Sequence, residues 1–191
     1  MTRPGVDRVA ARKARLERHA TETEPEVVVN AAARFLEARQ RSVHEVRRHL
    51  LAARYPAPLV ERAIERLLEL RWLDDEQFAR NWVESRDRAH PRGRQALRRE
   101  LLLKGIDRDV TETVLEDRGR DALEAEPEAD GTADTFAARR LLARKAAALG
   151  RVADPAARRQ RVYALLARSG FDADVCREVS AEFLREAVED D

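Results

Sequence analysis

The stretch KGIDRDV at residues 104–110 recurs as SGFDADV at residues 169–175. In each copy we expect one helix to end and the next helix to begin. Gly105 and Gly170 suit the left-handed residue that follows a helix, because glycine has no Cβ to be strained there. The aspartate two residues further on suits the N-cap of the next helix, where a carboxylate accepts hydrogen bonds from free amides. The repeat therefore predicts the same helix–turn–helix junction twice.

Apolar residues flank both junctions at matching positions. Leu97 and Leu101 before the first junction correspond to Val162 and Leu166 before the second, and a weaker copy lies near Leu50. The pattern predicts an all-α chain of three tandem three-helix repeats that form an elongated, curved body. Its predicted segments are a basic N-terminal arm (1–25), repeat 1 (26–73), repeat 2 (74–120), an acidic linker (121–132) and repeat 3 (133–188).

Composition and capping residues agree with an all-helical fold. Aromatic residues make up only 5% of the 191 residues and charged residues 38%, which suits thin helical cores with large solvated faces. No run of β-branched or aromatic residues alternates in the way that a strand requires. Ser42 with Glu45, and Asp74 with Gln77, have the spacing of capping boxes at helix starts.

The chain has no feature of a secreted or membrane protein. Cys176 is the one cysteine, so an internal disulfide framework is excluded. The N-terminal residues lack the apolar core of a secretion signal. No apolar stretch approaches the about 20 residues that a membrane span needs. We therefore expect a cytoplasmic protein without a membrane partner, and a monomer.

Catalytic and metal-binding motifs are missing. The text HEVRRH at 44–49 resembles a zinc-protease motif, but its histidines are five residues apart, which separates them by about 140° on a helix. No phosphate-binding glycine loop or nucleophile elbow occurs. We predict no catalytic residue, no metal and no cofactor. Trp72 and Trp82 could stack on bases, but their helical setting favours positions in the core.

Charge is sorted along the chain although the net charge is only +1. Residues 86–104 hold seven cations against two anions, and residues 139–168 hold nine against one, whereas residues 107–134 hold three against eleven. A repeated basic stripe predicts contact with a polyanion or an acidic protein surface. The candidate contact residues are Arg86, Arg88, Arg92, Arg94, Arg98, Arg99, Lys104, Arg158, Arg159 and Arg161.

The charge pattern does not by itself require a binding partner. Sorted charge can instead serve salt bridges between neighbouring helices. The excess of arginine over lysine can reflect a GC-rich genome as readily as selection for phosphate contacts.

Four features stand in a fixed order along the first two repeats: RSxxE at 41–45, LDDxxFA at 73–79, Gly93, and ELxxKGI at 100–106. Together they resemble the RecX family, whose members regulate the bacterial recombinase RecA. Each stretch is common alone, but their order and spacing are specific. The resemblance covers about residues 30–185, and the N-terminal arm and the acidic stretch at 124–131 lie outside the family pattern.

The resemblance implies a non-catalytic regulator that binds the RecA filament on single-stranded DNA. Such a protein would inhibit the ATPase, co-protease and strand-exchange activities of RecA, and would act in recombination, DNA repair and the SOS response. The alternative from the residues is a protein that binds DNA directly through helix-turn-helix-like basic units. Steep salt dependence is expected for binding to phosphates alone, whereas an interface with RecA should retain part of its affinity.

Overall fold

A computed structural model describes residues 4–125 and 131–189. Those residues form helices and no strands, which confirms the all-α prediction. The chain divides into two compact units: the first holds the residues up to Phe78 together with Lys104–Ile106, and the second holds the rest. The helices are α1 (Pro4–Ala20), α2 (Pro25–Glu37), α3 (Val43–Ala52), α4 (Ala57–Glu69), α5 (Asp75–Ala89), α6 (Arg94–Leu103), α7 (Arg108–Ala125), α8 (Ala133–Gly150), α9 (Pro155–Arg168) and α10 (Ala173–Glu189).

Each unit has its own apolar core. In the first unit, α2, α3 and α4 bury a cluster that includes Val28, Leu50 and Leu67, all with no exposed surface. In the second unit, α8, α9 and α10 bury a cluster around Leu142 and Leu166. Because the buried residues recur every three or four positions, each helix turns one stripe inward. Leu68, next to the buried Leu67, is 42% exposed and lies outside the buried stripe of α4.

The predicted caps lie at the helix starts. Ser42 and Glu45 form a reciprocal capping box at α3, and Asp74 accepts a hydrogen bond from the Gln77 amide at α5. Asp172 accepts bonds from the amides of Asp174 and Val175 at α10. The matching aspartate at 107 accepts from the amide two residues on. These bonds join residues only two or three positions apart and fix where the helices begin. The helix starts can therefore be predicted from the sequence.

Both junction glycines have left-handed backbone angles, as predicted. The φ angle is 77° at Gly105 and 84° at Gly170. The equivalent residue of the first repeat is Arg54, with a φ of 67°. The Tyr55 and Phe171 amides each bond to the carbonyl five residues earlier, so the helix ends at Arg54 and Gly170 share one closing geometry.

The predicted N-terminal arm contains a helix, α1. Its described cations, among them Arg8, Arg12 and Arg15, are exposed. Near its end, His19 stacks on Tyr55 with ring centroids 4.2 Å apart and donates from Nδ1 to the Ala53 carbonyl. The Tyr55 hydroxyl bonds to His19 Nε2 at 3.2 Å. α1 is therefore attached to the first unit through its last turn.

The predicted acidic linker (121–132) overlaps the end of α7. Residues 121–125 belong to α7 rather than to a linker, because they are good helix formers and the first breaker is Pro127. The core of the predicted linker, residues 126–130, lies outside the described residues.

The first unit contains what we call the first junction: Ser42, Val43, Glu45, Asp75, Lys104 and Gly105. The Ser42 hydroxyl donates to the Lys104 carbonyl at 2.6 Å, and the Val43 amide donates to the Asp75 carboxylate at 2.9 Å. Lys104 Nζ lies 2.8 Å from Glu45 Oε1. The start of α3 is thus bound to the turn that ends at Gly105.

The second unit contains a matching set, the second junction: Gly93, Arg94, Ala96, Asp134, Ser169 and Gly170. The Gly93 amide donates to the Ser169 carbonyl at 3.1 Å. The Arg94 amide donates to the Asp134 carboxylate at 2.8 Å. Both junctions therefore join the carbonyl before the turn glycine to the start of a helix, and both cap that helix with an aspartate of the following repeat.

Neither tryptophan is fully buried, which corrects the expectation of two core positions. Trp72 is 57% exposed, because its amide closes the end of α4 while the next residue, Leu73, takes the buried place. Trp82 is half-buried, and its indole Nε1 donates to Glu100 at 2.9 Å.

Candidate polyanion-binding surface

Two of the candidate arginines on α6 are paired with α7. Arg94 Nη2 lies 2.9 Å from Glu112 Oε2, and Arg98 Nε lies 2.7 Å from Oε1 of the same carboxylate. Arg94 also donates to the Leu115 carbonyl. Glu112 thus holds both guanidinium groups, and this part of the stripe serves packing between α6 and α7.

Glu100 pairs with two further candidates. Arg86 Nε lies 2.6 Å from Glu100 Oε2, and its guanidinium carbon lies 4.4 Å from the centre of the Trp82 ring. Arg92 Nε lies 3.9 Å from Glu100 Oε1, at the limit of an ion pair. Arg86 is therefore firmly held, whereas Arg92 is not.

Three more candidates have partners nearby. Arg88 pairs with Glu84 on the same exposed face of α5, and Lys104 pairs with Glu45 in the first junction. Arg158 donates to the Val152 carbonyl at 3.0 Å, where α8 has just ended. Seven of the ten candidates therefore have protein partners, when Arg86, Arg92, Arg94 and Arg98 are included. Most of the basic stripe forms salt bridges and hydrogen bonds within the fold.

Three candidates have no partner in the part of the chain that the structure describes. Arg99 is exposed on α6, and Arg159 and Arg161 are exposed on α9. The neighbouring anchors Leu97 and Val162 are fully buried, so regular helices carry these side chains. These three guanidinium groups are available to an external anion.

One largely buried arginine was not among the candidates. The side chain of Arg118 is 8% exposed and reaches Asp87 at 2.8 Å and Asp134 at 2.6 Å. Its three partners, counting the Arg92 carbonyl at 3.3 Å, lie on different parts of the second unit. Arg118 lies in an acidic stretch of sequence, so the charge pattern did not indicate it as a contact residue.

The second unit also has a basic cleft that the sequence did not reveal. The cleft has a volume of about 340 Å³, and its basic lining residues are His90, Arg92, Arg144 and Lys145. Arg144 donates to the Ala89 carbonyl at 2.7 Å and to the Arg88 carbonyl, which brings α8 beside the end of α5. Only Arg92 was among the candidates, because the contact joins residues 55 positions apart.

Two carboxylates of the first junction have shifted pKa values. Burial tends to raise the pKa of Glu45, but the hydrogen bond and charge of Lys104, with Arg39 and the Ser42 amide, lower it overall. Burial raises the pKa of Asp75 by more than its hydrogen bond from the Val43 amide lowers it. Glu45 is therefore stabilised as a carboxylate, while Asp75 pays a desolvation penalty for capping α3.

The two histidines of the metalloprotease-like sequence at 44–49 pack against other residues of the fold. His44 lies against Gly105, and His49 stacks on Phe35. The described residues contain no group of three or more His, Cys, Asp or Glu side chains arranged to hold a metal ion. Within 4–125 and 131–189, no helix is both long and apolar enough to cross a membrane.

Three family models match the chain in order. They describe the first three-helix domain of RecX at residues 29–67, the second at 74–115 and the third at 136–179. The matches coincide with the groups α2–α4, α5–α7 and α8–α10. The tandem-repeat prediction is thereby confirmed.

Curated relatives carry the same family name. The regulatory protein RecX of Mycobacterium ulcerans is 34% identical over 154 residues, which are 80% of this chain and 83% of the relative. That of Mycobacterium tuberculosis is also 34% identical over 154 residues, 80% of this chain and 84% of the relative. That of Mycolicibacterium smegmatis is 37% identical over 95 residues, half of each chain.

Solved structures agree on the fold. The crystal structure of RecX from Lactobacillus salivarius superposes with a TM-score of 0.63 at 21% identity, covering 83% of this chain and 96% of that one. A second crystal structure, of a regulatory protein RecX, gives a TM-score of 0.65 at 17% identity and covers 82% and 71%. At these identities the likeness concerns the fold alone.

Proposed function

Because the chain belongs to the RecX family of regulatory proteins, we propose that it binds the RecA filament on single-stranded DNA and inhibits the filament's ATPase, co-protease and strand-exchange activities. Inhibition in this proposal follows from occupancy. A protein bound along the filament hinders its extension and its conformational cycle without any chemistry of its own.

The observation that carries the proposal is the difference between paired and free arginines on the same helices. Arg99 on α6 and Arg159 and Arg161 on α9 have no protein partner, although the described residues around them supply acceptors for seven other candidates. A guanidinium without a protein partner can bind a phosphate or a carboxylate without first breaking a salt bridge, and its planar fork can form two hydrogen bonds at once. We assign these three side chains to contacts with filament DNA or with acidic residues of RecA.

The two paired candidates on α6 contribute indirectly in this proposal. Arg94 and Arg98 hold α6 against α7 through Glu112, and so they fix the direction in which Arg99 points. Replacing them would disturb the fold as well as the surface. A decisive experiment therefore changes only the free arginines.

The test is the ATPase activity of RecA on single-stranded DNA with a variant in which Arg99, Arg159 and Arg161 are all changed to Glu. Each lost charge-assisted hydrogen bond costs about 1.5–3 kcal/mol, so the inhibitory concentration should rise by at least two orders of magnitude. Exposed charge reversals change folding little, and circular dichroism should be unaltered.

The matched control reverses three other exposed, unpartnered arginines, Arg48, Arg62 and Arg108, which lie on α3, α4 and α7. It changes the net charge by the same amount and should inhibit RecA as the parent does. Equal inhibition by the parent and by the Arg99, Arg159 and Arg161 variant would contradict the assignment of these three side chains. A parent protein that leaves RecA activity unchanged would contradict the function itself.

Direct DNA binding without RecA is the second candidate function. The observation in its favour is that all three free side chains are arginines, whose planar forks suit phosphates. Binding to phosphates alone weakens by about 10³-fold or more between 50 mM and 200 mM salt when six or more contacts are made. A filament interface that retains most of its affinity over that range favours the RecA regulator.

A further inference from the structure

The basic cleft of the second unit is lined by cations and not by carboxylates. Its basic side chains are His90 and Arg92 after α5, and Arg144 and Lys145 on α8, and Ser169 adds a further polar residue. Leu141 and Leu165 supply apolar walls. At about 340 Å³ the cleft lies within the size range of ligand sites in proteins. Arg92, Arg144 and Lys145 create a local positive potential, because no carboxylate is among the lining residues and the nearby Glu100 lies 3.9 Å from Arg92 Nε.

Arg92, which lines this cleft, is only partly satisfied by the rest of the protein. Its Nε is buried and has no hydrogen-bond partner, since Glu100 is 3.9 Å away. Its backbone is fixed because the Arg92 carbonyl accepts a bond from Arg118. Nε itself has almost no accessible surface, so an external acceptor meets Arg92 through its Nη groups, for which the described part of the chain supplies no hydrogen-bond acceptor.

Arg144 and Lys145 complete the set from the opposite wall. Arg144 is oriented by its bonds to the Ala89 and Arg88 carbonyls, and it keeps further N–H groups because a guanidinium has five. Lys145 is exposed and has no partner in the described part of the chain. The cleft thus combines one oriented arginine, one unsatisfied arginine and one free lysine.

We propose that this cleft binds a phosphate group of a nucleic-acid backbone. A phosphodiester has two unesterified oxygens that can accept from Arg92 and from Arg144 or Lys145 at once, and the apolar walls suit the attached sugar or base. The proposal rests on the proposed function in one respect only, which is that the phosphate belongs to single-stranded DNA. It gives the protein a DNA contact separate from Arg99, Arg159 and Arg161.

The experiment measures binding of a fluorescent single-stranded oligothymidylate to the full chain by anisotropy, without RecA. Lys145→Glu tests the exposed side chain, and Arg92→Gln removes the unsatisfied charge while keeping a similar shape. Each variant should weaken binding at least tenfold and reduce the slope of log K against log salt by about one. Arg108→Glu is the control, because it reverses an exposed, unpartnered arginine on α7, which does not line the cleft.

Competitors separate the possible sources of the anion. Inorganic pyrophosphate should displace the oligonucleotide from the parent more effectively than from Arg92→Gln. Preferential displacement by a polyglutamate peptide would show a carboxylate site and overturn the proposal. Equal weakening in Arg108→Glu and Lys145→Glu would also overturn it, since the loss would then reflect general charge.

The outcome is independent of RecA inhibition. If the parent binds the oligonucleotide through the cleft but leaves RecA activity unchanged, the phosphate site stands and the proposed function fails. If the parent inhibits RecA while both cleft variants bind the oligonucleotide as the parent does, the function stands and the phosphate site fails.

Discussion

In both junctions the residue before a helix donates a hydrogen bond to the carbonyl before a turn glycine, but the donor differs between the two. In the first, a side chain bridges the gap, since the Ser42 hydroxyl donates to the Lys104 carbonyl. In the second, the backbones meet directly, since the Gly93 amide donates to the Ser169 carbonyl. A Cβ built on Gly93 would overlap backbone atoms of Gly170 and Phe171, whereas one on Gly105 would overlap the side chain of His44.

The difference shows how one junction tolerates different residues. Where a serine spans the distance, helix and turn stay far enough apart for side chains to lie between them. Where glycine replaces that serine, the two backbones approach until only hydrogen atoms fit. The bond to the carbonyl before the turn is kept in both cases, because leaving it unmade would bury an unsatisfied polar group.

The first repeat shows what happens at the same carbonyl when no repeat precedes it. There the Ala53 carbonyl accepts from His19 of α1, so α1 occupies the position that a preceding repeat takes at the two junctions. The turn residue is Arg54, exposed and left-handed, where the other turns have glycine. Gly105 and Gly170 are therefore favoured both by the left-handed backbone angle and by neighbouring residues that a Cβ would overlap.

The largest effect is expected for Gly93→Ala. The added methyl group meets backbone that cannot rotate away, so we expect the free energy of unfolding to fall by about 3 kcal/mol. Urea unfolding followed by circular dichroism measures the loss. Gly119→Ala is the control, because a Cβ there meets nothing within 4 Å, and in the interior of α7 it should stabilise by about 0.5–1 kcal/mol. A loss of less than about 1 kcal/mol at Gly93 would contradict the direct backbone contact.

An intermediate effect is expected for Glu45→Gln in the first junction. The change leaves Lys104 without its carboxylate, and we expect a loss of about 2 kcal/mol at neutral pH. The pKa of Glu45 is lowered from 4.5, so its stabilisation is complete above that pH and is lost as the pH falls through the folded value. The difference between variant and parent should therefore shrink as the pH falls below 4.5.

Unfolding of both proteins across the acidic range checks this prediction, with Glu61→Gln as the control. The pair between Arg47 and Glu61 is more exposed, at 38% and 48% of the two side chains, so its loss should cost less than about 1 kcal/mol. A Glu45→Gln deficit that stays constant down to low pH would show that the carboxylate charge is not what stabilises the junction.

The smallest effect is expected for Arg54→Gly. Glycine relieves the cost of a left-handed arginine but adds freedom to the unfolded chain, so we expect a gain of no more than about 1 kcal/mol. Gly105→Ala makes the reverse change where a neighbour is present, and it should destabilise. Thermal unfolding of the two variants and the parent measures whether each change stabilises or destabilises the protein. Destabilisation by Arg54→Gly would mean that the arginine side chain itself supports the first repeat.

Features that depend on nearby residues were predictable from the sequence. The capping box at Ser42, the cap at Asp172 and the left-handed Gly105 and Gly170 all arise from contacts within a few positions. The burial of Leu97 and Leu101 follows from helical spacing in the same way. Prediction was weaker where a local pattern has two outcomes, as at Trp72, whose position fits a buried or an exposed ring equally well.

The sequence by itself determined the helices, their ends and the threefold repetition, because a backbone amide or an apolar stripe is satisfied within one or two turns. Only the tertiary structure decided which cations are free. Arg94 finds Glu112 18 positions away, Arg118 finds Asp87 at 31, and Arg144 finds the Ala89 carbonyl at 55. A charge acts through space, so its availability to DNA or to RecA depends on which helices fold beside it.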